Sequence, residues 1–308
     1  MDSNRLKLMV EISKLYYLEG LSQSEIAKKM YISRPQVSRI LSEAREKNIV
    51  SITVKDPFSE AYKLADDIKN KFHLSDVLVV DTYGKEPLRA IAEELSRIVS
   101  SKVRPGDYIG ISAGKTLAMC SSYTMIHNSE DLKFIPLLAG ATSRGIDWYA
   151  NNNCRRFSER LNAGHMVLST PMVIREEKIR KELINNPAIK PVFEAYEKLD
   201  IIITGIGQTT TESSLSQCDI SNEEILTAHQ KGAQAIIAGS FIDAEGNEIL
   251  KEQSDMFLGA KIRHIKKCPC VIAAAEGLGK TEAIRAALKG GIIDIFCTNS
   301  ETARELLQ

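Results

Sequence analysis

Apolar and polar residues alternate at helical spacing along the first fifty residues, and this pattern predicts three short amphipathic helices. The first helix ends at Gly20, and a tight turn joins the second to the third. The apolar positions expected to face a shared core are Leu6, Met9, Val10, Ile12, Leu15, Tyr16, Leu18, Ile26, Ala27, Met30, Val37, Ile40 and Leu41. A helix pair of this kind, preceded by a supporting helix, is typical of a helix-turn-helix DNA-binding domain.

Both helices of the pair begin with a capping sequence. Ser22 is followed three residues later by Glu25, and Ser33 is followed by Gln36, so each serine can cap its helix while its partner reaches back. Tyr31 stands where such a turn usually has glycine, and we expect a left-handed backbone there at a cost on the order of 1 kcal/mol. The combined caps, apolar stripes and turn favour a helix-turn-helix over an ordinary solvated helix pair.

The polar face of the third helix carries side chains suited to DNA. Its N-terminus is the end that enters a major groove, where arginine suits guanine edges and glutamine suits adenine edges. We predict that Gln36 and Arg39 read bases and that Lys28 or Lys29 contacts phosphate. The residues assigned to DNA are Ser22, Lys28, Lys29, Ser33, Arg34, Gln36, Ser38 and Arg39.

The pattern changes beyond the helix pair. A strand is predicted at 49–54, as a wing or an exit strand, and an amphipathic helix at 58–73. Runs that are apolar on every residue then alternate with helices, which is typical of a parallel sheet covered on both faces. The predicted strands are 76–81, 107–112, 134–140, 200–207, 235–243, 270–277 and 294–299, with helices at 87–103, from about 115, at 147–163 and at 279–289.

We therefore predict two domains. Residues 1–55 form a helix-turn-helix domain resembling a winged helix, and residues 56–308 form an open, doubly wound α/β domain that binds an effector and assembles the oligomer. The chain of 308 residues, 44% hydrophobic and 26% charged, is long enough for both. Its formal net charge is zero, but residues 1–55 hold ten basic against six acidic residues, so the charge expected of a DNA-binding unit lies at that end.

The remaining composition excludes several classes of protein. Six scattered cysteines without a C-x-x-C and five unclustered histidines indicate neither a metal site nor a disulfide framework. No apolar run approaches the ~20 residues of a membrane span. The N-terminus lacks the apolar core of a signal peptide. We expect a cytoplasmic protein without membrane contact, cofactor, metal ligands or catalytic residues.

A ligand site is predicted at the carboxyl ends of the strands, where loops lead into helix N-termini. One loop offers backbone amides, hydroxyls and an ammonium to a phosphate. It imitates a Walker A loop, but its spacing from Gly110 is one residue short, so we reject a nucleoside triphosphatase. The residues assigned to the pocket are Ser112, Ala113, Gly114, Lys115, Thr116, Gly205, Gly207, Gln208, Asp243 and Lys280.

Four segments together resemble the SorC family of transcriptional regulators. They are LYYLEGLSQSEIAKKMYISRPQVSRILSEAREKNIVSITV in the DNA-binding unit, IGISAGKTL, LDIIITGIG and VIAAAEGLGKTEAIRAALKGGIIDIFCTNSETARELL. The resemblance covers nearly the whole chain. It implies an effector domain folded like ribose-5-phosphate isomerase and glucosamine-6-phosphate deaminase, a phosphorylated sugar or similar metabolite as effector, and a homo-oligomer, dimer or tetramer. It also implies control of a carbohydrate operon, as a repressor that the effector releases.

The resemblance carries over to individual residues. It places Ser112, Gly114 and Thr116 in a phosphate-holding loop, Asp243 on a pocket aspartate and Lys280 on the lysine of the C-terminal signature.

The chain departs from its relatives at two positions. Lys115 stands where relatives often have glycine or threonine, and Leu138 stands where some have lysine or arginine that touches the effector.

The alternative to a regulator is an enzyme, because the same fold houses sugar-phosphate isomerases and deaminases. Its base would come from Lys115, Asp243, Glu276 or Lys280.

Overall fold

The computed structural model describes residues 3–47, 49–50, 52, 59–82, 86–126, 129–140, 147–217 and 220–308. The chain divides into two units, Met1–Asp56 and Pro57–Gln308. The boundary predicted from the sequence falls among residues 53–58, which lie outside the described ranges.

The first unit contains α1 (Ser3–Tyr17), α2 (Gln23–Lys29) and α3 (Arg34–Glu46). Their apolar faces meet in one core, formed by Met9, Ile12, Leu15, Ile26, Ala27, Val37, Ile40, Leu41 and Ala44. Leu18 is an exception, because α1 ends at Tyr17 and the Leu18 side chain is 79% exposed. The prediction that Leu18 faces the core is therefore wrong.

Both predicted capping boxes are present. The Ser22 hydroxyl accepts from the Glu25 amide, and the Glu25 carboxylate accepts from the Ser22 amide at 2.8 Å. Ser33 and Gln36 repeat this arrangement at the start of α3, where Oε1 of Gln36 lies 2.8 Å from the Ser33 amide nitrogen. Tyr31 has a φ of 54°, so the expected left-handed turn is confirmed.

The strand predicted at 49–54 does not begin at Ile49. The amides of Ile49 and Val50 both donate to the carbonyl of Ala44, so these two residues continue the C-terminal turn of α3. Ile52 has no regular structure, and residues 51, 53 and 54 lie outside the described ranges. The wing prediction is therefore wrong at its first residues.

An acidic side chain links α1 to α3. Hydrogen bonds from Arg5, and then from Lys47, hold the pKa of the Glu43 carboxylate at about 2, below its ordinary value of 4.5. A carboxylate with a depressed pKa stabilises the fold above the unfolded pKa, and the contribution is lost as pH falls toward the folded value. We expect the first unit to lose stability between pH 4.5 and about 2, and Glu43→Gln to reduce that dependence. Glu25 keeps a separate contribution, because its hydrogen bonds with Ser22 also lower its pKa. Urea unfolding followed by circular dichroism measures it, with Glu46→Gln as control.

The second unit is built on a parallel sheet of seven described strands in the order β1-β10-β9-β5-β2-β3-β4. A separate antiparallel sheet holds β6, β7 and β8. The strands are β1 (Asp76–Val80), β2 (Tyr108–Ile111), β3 (Lys133–Pro136), β4 (Gly164–His165), β5 (Ile201–Gly205), β6 (Gly207–Gln208), β7 (Ala235–Ile237), β8 (Ser240–Ile242), β9 (Val271–Ala274) and β10 (Ile295–Asn299).

Helices cover both faces of the parallel sheet. They are α4 (Glu60–Phe72), α5 (Pro87–Lys102), α6 (Lys115–Tyr123), α7 (Ala150–Leu161), α8 (Glu177–Ile184), α9 (Lys190–Ala195), α10 (Asn222–Gln230), α11 (Lys251–Met256), α12 (Ile262–Lys267), α13 (Thr281–Lys289) and α14 (Ser300–Leu307). Along β5, Ile202 joins the core on one face while Ile201 and Ile203 join the core on the other. The predicted doubly wound α/β architecture is confirmed. No helix in the described part of the chain is long and apolar enough to span a bilayer.

The segment 235–243 was predicted as one strand of the parallel sheet, and that prediction is wrong. Ala238 and Gly239 have φ values of 46° and 84° and reverse the chain between β7 and β8. Positive φ at both central residues is the geometry of a two-residue hairpin turn. Similarly, the predicted strand 134–140 ends at Pro136, and 200–207 divides into β5 and β6.

Candidate functional site

Three loops meet at the carboxyl end of the parallel sheet, because β9, β5 and β2 are neighbours in it. Gly205, at the end of β5, lies between the other two: a methyl group built there would stand 3.9 Å from the carbonyl oxygen of Ala274 and 4.0 Å from that of Ala113. A larger side chain at Gly205 would therefore fill the space between the loops.

This space is a cavity of about 330 Å³, which we call the loop cavity. It brings together nine of the ten residues assigned to the pocket from the sequence: Ser112, Ala113, Gly114, Lys115, Thr116, Gly205, Gly207, Gln208 and Lys280. Its apolar wall includes Leu138, which the sequence resemblance already placed near the effector. The wall also includes Trp148, Met172, Ile236 and Phe257, which sequence reasoning missed. These residues come from segments scattered over more than a hundred positions, so no local pattern connects them.

Asp243 is the residue that the structure places elsewhere. Its carboxylate accepts hydrogen bonds from the amides of Glu245 and Asn247 and from the Asn247 side chain, and so it closes the turn after β8. It is absent from the described lining of the loop cavity. Its assignment to the pocket is corrected, because the hairpin at Ala238 turns the chain away from the parallel sheet.

The segment Ser112–Thr116, which we call the anion loop, presents a helix N-terminus to the cavity. Gly114 has a φ of 149° and caps α6 without a side-chain hydrogen bond. The amides of Lys115, Thr116 and Leu117 are the first three of α6, and no acceptor within the described residues takes a hydrogen bond from them. Free amides and the helix dipole favour an anion at this point.

Hydrogen bonds from the side chain of Asn153 fix the backbone of the anion loop. This fully buried side chain on α7 donates from Nδ2 to the carbonyl oxygens of Ser112 at 3.1 Å, Gly114 at 3.2 Å and Trp148 at 3.3 Å. The amide of Gly114 in turn donates to the carbonyl of Trp148. These hydrogen bonds order the loop through its carbonyl groups. They leave the amides of Lys115, Thr116 and Leu117 available to a bound anion. Sequence reasoning missed Asn153, which lies 41 positions from Ser112.

The DNA-contact face predicted on the first unit is exposed. Lys28, Lys29, Arg34, Ser38 and Arg39 are all solvent-accessible, whereas Ser22 and Ser33 are engaged as helix caps.

The side chain of Gln36 is exposed, but its amide oxygen already accepts two hydrogen bonds. Its Oε1 accepts from both the amide and the hydroxyl of Ser33, at 2.8 and 2.9 Å. Bidentate reading of adenine needs this oxygen as well as the amide nitrogen. The capping box must therefore open before Gln36 can read adenine in that way.

Comparison with known proteins identifies the chain. Residues 56–308 match the family model described as "Putative sugar-binding domain", and residues 11–47 match the model described as "Sigma-70, region 4". The crystal structure of the full-length sorbitol operon regulator SorC from Klebsiella pneumoniae superposes with a TM-score of 0.75 at 25% identity, over 99% of this chain and all of that one. The chain belongs to the SorC family of transcriptional regulators.

Two further transcriptional regulators are similar to the chain. The deoxyribonucleoside regulator of Bacillus subtilis is 27% identical over 312 residues, which cover 100% of this chain and 99% of the relative. A DeoR family transcriptional regulator from Listeria monocytogenes superposes with a TM-score of 0.74 at 26% identity, over 80% of this chain and 100% of that one. These relatives are regulators and not enzymes, so the isomerase or deaminase hypothesis is set aside.

The two positions at which the sequence resemblance predicts a departure from relatives, Lys115 and Leu138, both line the loop cavity. Lys115 brings a charge on the anion loop, while Leu138 is 7% exposed and belongs to the apolar wall. A second cavity of about 270 Å³ shares Phe257 with the first but is mostly apolar, and the anion loop does not reach it.

Among the described residues, no group of histidine, cysteine and acidic side chains is placed to hold a metal.

Proposed function

We propose that this protein regulates a carbohydrate operon, with residues 1–55 binding operator DNA and a phosphorylated sugar or related metabolite in the loop cavity changing that binding. The observation that carries the proposal is the anion loop. There Lys115 and three helix amides without an acceptor among the described residues border a cavity, in a chain that also exposes a basic helix. Free N-terminal amides beside an ammonium suit a phosphate group.

The relatives support the carbohydrate assignment by their names, since one is a sorbitol operon regulator and another a deoxyribonucleoside regulator. We propose further that the protein is a repressor released by its effector and that it acts as a homo-oligomer, a dimer or a tetramer. The effector then acts by binding the DNA-bound and free arrangements of the subunits with different affinity.

A thermal-shift screen of the full chain against phosphorylated sugars tests the proposal. A ligand at 100 times its dissociation constant stabilises the folded chain by about 2.7 kcal/mol. The sugar that stabilises the chain must also change its affinity for a DNA site selected by the protein from a random library. Stabilisation without any change in DNA affinity would contradict the regulatory role.

Base reading and phosphate contact are separable by substitution. We expect Gln36→Ala and Arg39→Ala each to cost about 1–3 kcal/mol on the selected operator and little on random DNA. Lys29→Ala should weaken both and reduce the salt dependence by about one unit of slope, because it removes one phosphate contact.

Fluorescence anisotropy at several salt concentrations measures these effects. Glu25→Ala is the matched control for Gln36→Ala, since it opens the equivalent capping box on α2. An equal loss on operator and random DNA for Gln36→Ala would refute the base-reading assignment.

A further inference from the structure

The turn between α2 and α3 holds a bulky residue in a left-handed backbone conformation. Tyr31 has a φ of 54°. Its amide donates to the carbonyl of Lys28, and the amide of Ile32 donates to the carbonyl of Ala27. This pair of hydrogen bonds is a Schellman motif, in which the left-handed position is usually glycine. The backbone and the half-buried Ile32 therefore form the turn without a contribution from the Tyr31 ring.

The Tyr31 ring also adds nothing to the packing of the first unit. Tyr31 is 95% exposed, more than any other large apolar residue in the part of the chain that the structure describes. Its side chain forms no hydrogen bond, ring contact or cation–π contact with any described residue. Bulky residues with positive φ are rare, and such strained positions cluster at binding sites. Tyr31 is therefore a candidate contact for a partner of this unit.

The charge around Tyr31 indicates the chemistry of that partner. Lys28 and Lys29 directly precede the turn, Arg34 follows it, and all three side chains are exposed. Residues 28–42 hold four basic residues and no acidic one. A surface of this charge attracts a polyanion such as DNA.

Tyr31 lies beside the end of α3 that is expected to enter a major groove. Ser33, which caps α3, is only two residues away, and two residues span at most about 7 Å. The phosphates that border the groove are therefore within reach of the tyrosine side chain. Tyrosine hydroxyls donate to phosphate oxygens in protein–DNA complexes, and an aromatic ring offers apolar surface to a sugar without distinguishing the bases.

We propose that Tyr31 contacts the sugar-phosphate backbone of bound DNA, with its ring against a deoxyribose and its hydroxyl donating to a phosphate oxygen, and that this contact sets how deeply α3 enters the groove. The proposal rests on the DNA-binding function proposed above and adds a residue to those assigned to DNA from the sequence. Unlike the ammonium of Lys29, the phenol is neutral and displaces no counterion, so its contact does not contribute to the salt dependence of binding.

Substitutions of Tyr31 in the full chain separate this contact from those of the charged side chains. Tyr31→Phe should weaken binding to the selected operator and to random DNA by about tenfold each, because it removes a hydrogen bond to a charged acceptor. Tyr31→Gly should weaken both at least as much. Neither variant should change the slope of affinity against salt, whereas Lys29→Ala reduces it by about one unit. Tyr62→Phe, which removes the hydroxyl of an exposed tyrosine on α4, is the matched control and should leave DNA affinity unchanged.

Two of the variants also test whether the ring is structural. Glycine adopts positive φ without strain and asparagine tolerates it, so Tyr31→Gly and Tyr31→Asn should both keep the turn. Hydrogen exchange of the α2 and α3 amides in the full chain, followed by mass spectrometry, should be no faster in either variant than in wild type. Both should nevertheless bind DNA more weakly.

Neutral methylphosphonate linkages, placed one at a time in the operator, locate the contacted phosphate. For the wild-type chain, replacing that phosphate should weaken binding about tenfold. For Tyr31→Phe the same replacement should have a much smaller effect, because both changes remove the same hydrogen bond.

The outcomes are distinguishable. Unchanged DNA affinity in Tyr31→Phe and Tyr31→Gly would overturn this proposal, and so would a loss confined to the operator, which would make Tyr31 a base-reading residue. Both results leave the regulatory function intact. Faster hydrogen exchange in Tyr31→Gly and Tyr31→Asn would assign the ring a structural role, and an altered oligomeric state with unchanged binding to a single half-site would place it against a second copy of the chain. Either of these also overturns the proposal. If the wild-type chain selected no DNA sequence, the proposed function would fail and this inference with it.

Discussion

A fragment of residues 1–56 should bind a palindromic operator roughly a hundred to ten thousand times more weakly than the full chain at physiological salt. The fragment contains its own apolar core, so weak binding would not follow from unfolding. A single helix-turn-helix makes few phosphate contacts, whereas subunits joined through residues 57–308 engage two half-sites about 34 Å apart. The second contact is then intramolecular and gains from effective concentration.

Fluorescence anisotropy with selected operators that hold one or two half-sites measures this gain. On a single half-site the fragment and the full chain should bind with similar affinity, and fusing the fragment to a dimeric coiled coil should recover part of the gain. Circular dichroism of the fragment confirms that it is folded. Equal affinity of fragment and full chain on the palindrome would show that residues 57–308 do not link the subunits.

Lys115→Met and Thr116→Val should each raise the concentration of phosphorylated effector needed for operator release by about ten- to a hundredfold. In a partly enclosed site a charge-assisted hydrogen bond contributes roughly 1.5–3 kcal/mol, which corresponds to that range. The anion loop places both side chains on the first turn of α6, beside its unpaired amides. Isothermal titration calorimetry gives the affinity, and anisotropy gives the release.

Three controls accompany this prediction. Both variants should keep the operator affinity of the unliganded protein, and the dephosphorylated sugar should bind wild type and Lys115→Met about equally. Lys289→Met, on the exposed end of α13, removes the same charge from a surface outside the described cavity lining and should change nothing. Unchanged effector affinity in both anion-loop variants would assign the phosphate to Lys280 instead.

Local signals in the sequence were sufficient for the helix-turn-helix and for the presence of a parallel sheet. A capping box spans four residues, and a strand buried on both faces is apolar throughout, so both can be recognised without tertiary information. The anion loop could also be predicted, because a strand, a glycine and a helix start follow one another between Ile111 and Lys115.

The errors arose where the fold depends on residues distant in sequence or on a single backbone reversal. AIIAGSFID is uniformly apolar enough to resemble one strand, and only the positive φ at Ala238 and Gly239 reveals the hairpin that removes Asp243 from the cavity. Asn153 was missed because its three acceptors lie on two other segments.

If Gln36 reads a base as proposed, the hydrogen bonds between its side chain and Ser33 affect how long the protein stays on its operator. Breaking the two hydrogen bonds that Oε1 of Gln36 accepts from Ser33 costs about 1 kcal/mol, and this cost arises only where Gln36 turns to a base. On random DNA these bonds stay intact, so the cost lowers only the affinity for the operator. The ratio of operator affinity to random-DNA affinity falls by about fivefold as a result. Most changes in affinity appear in the dissociation rate, so the complex is shorter-lived by a similar factor. The free energy that couples an effector to a second ligand is typically about 1–3 kcal/mol. An operator complex that is already weakened by about 1 kcal/mol is therefore easier for a small metabolite to dissociate.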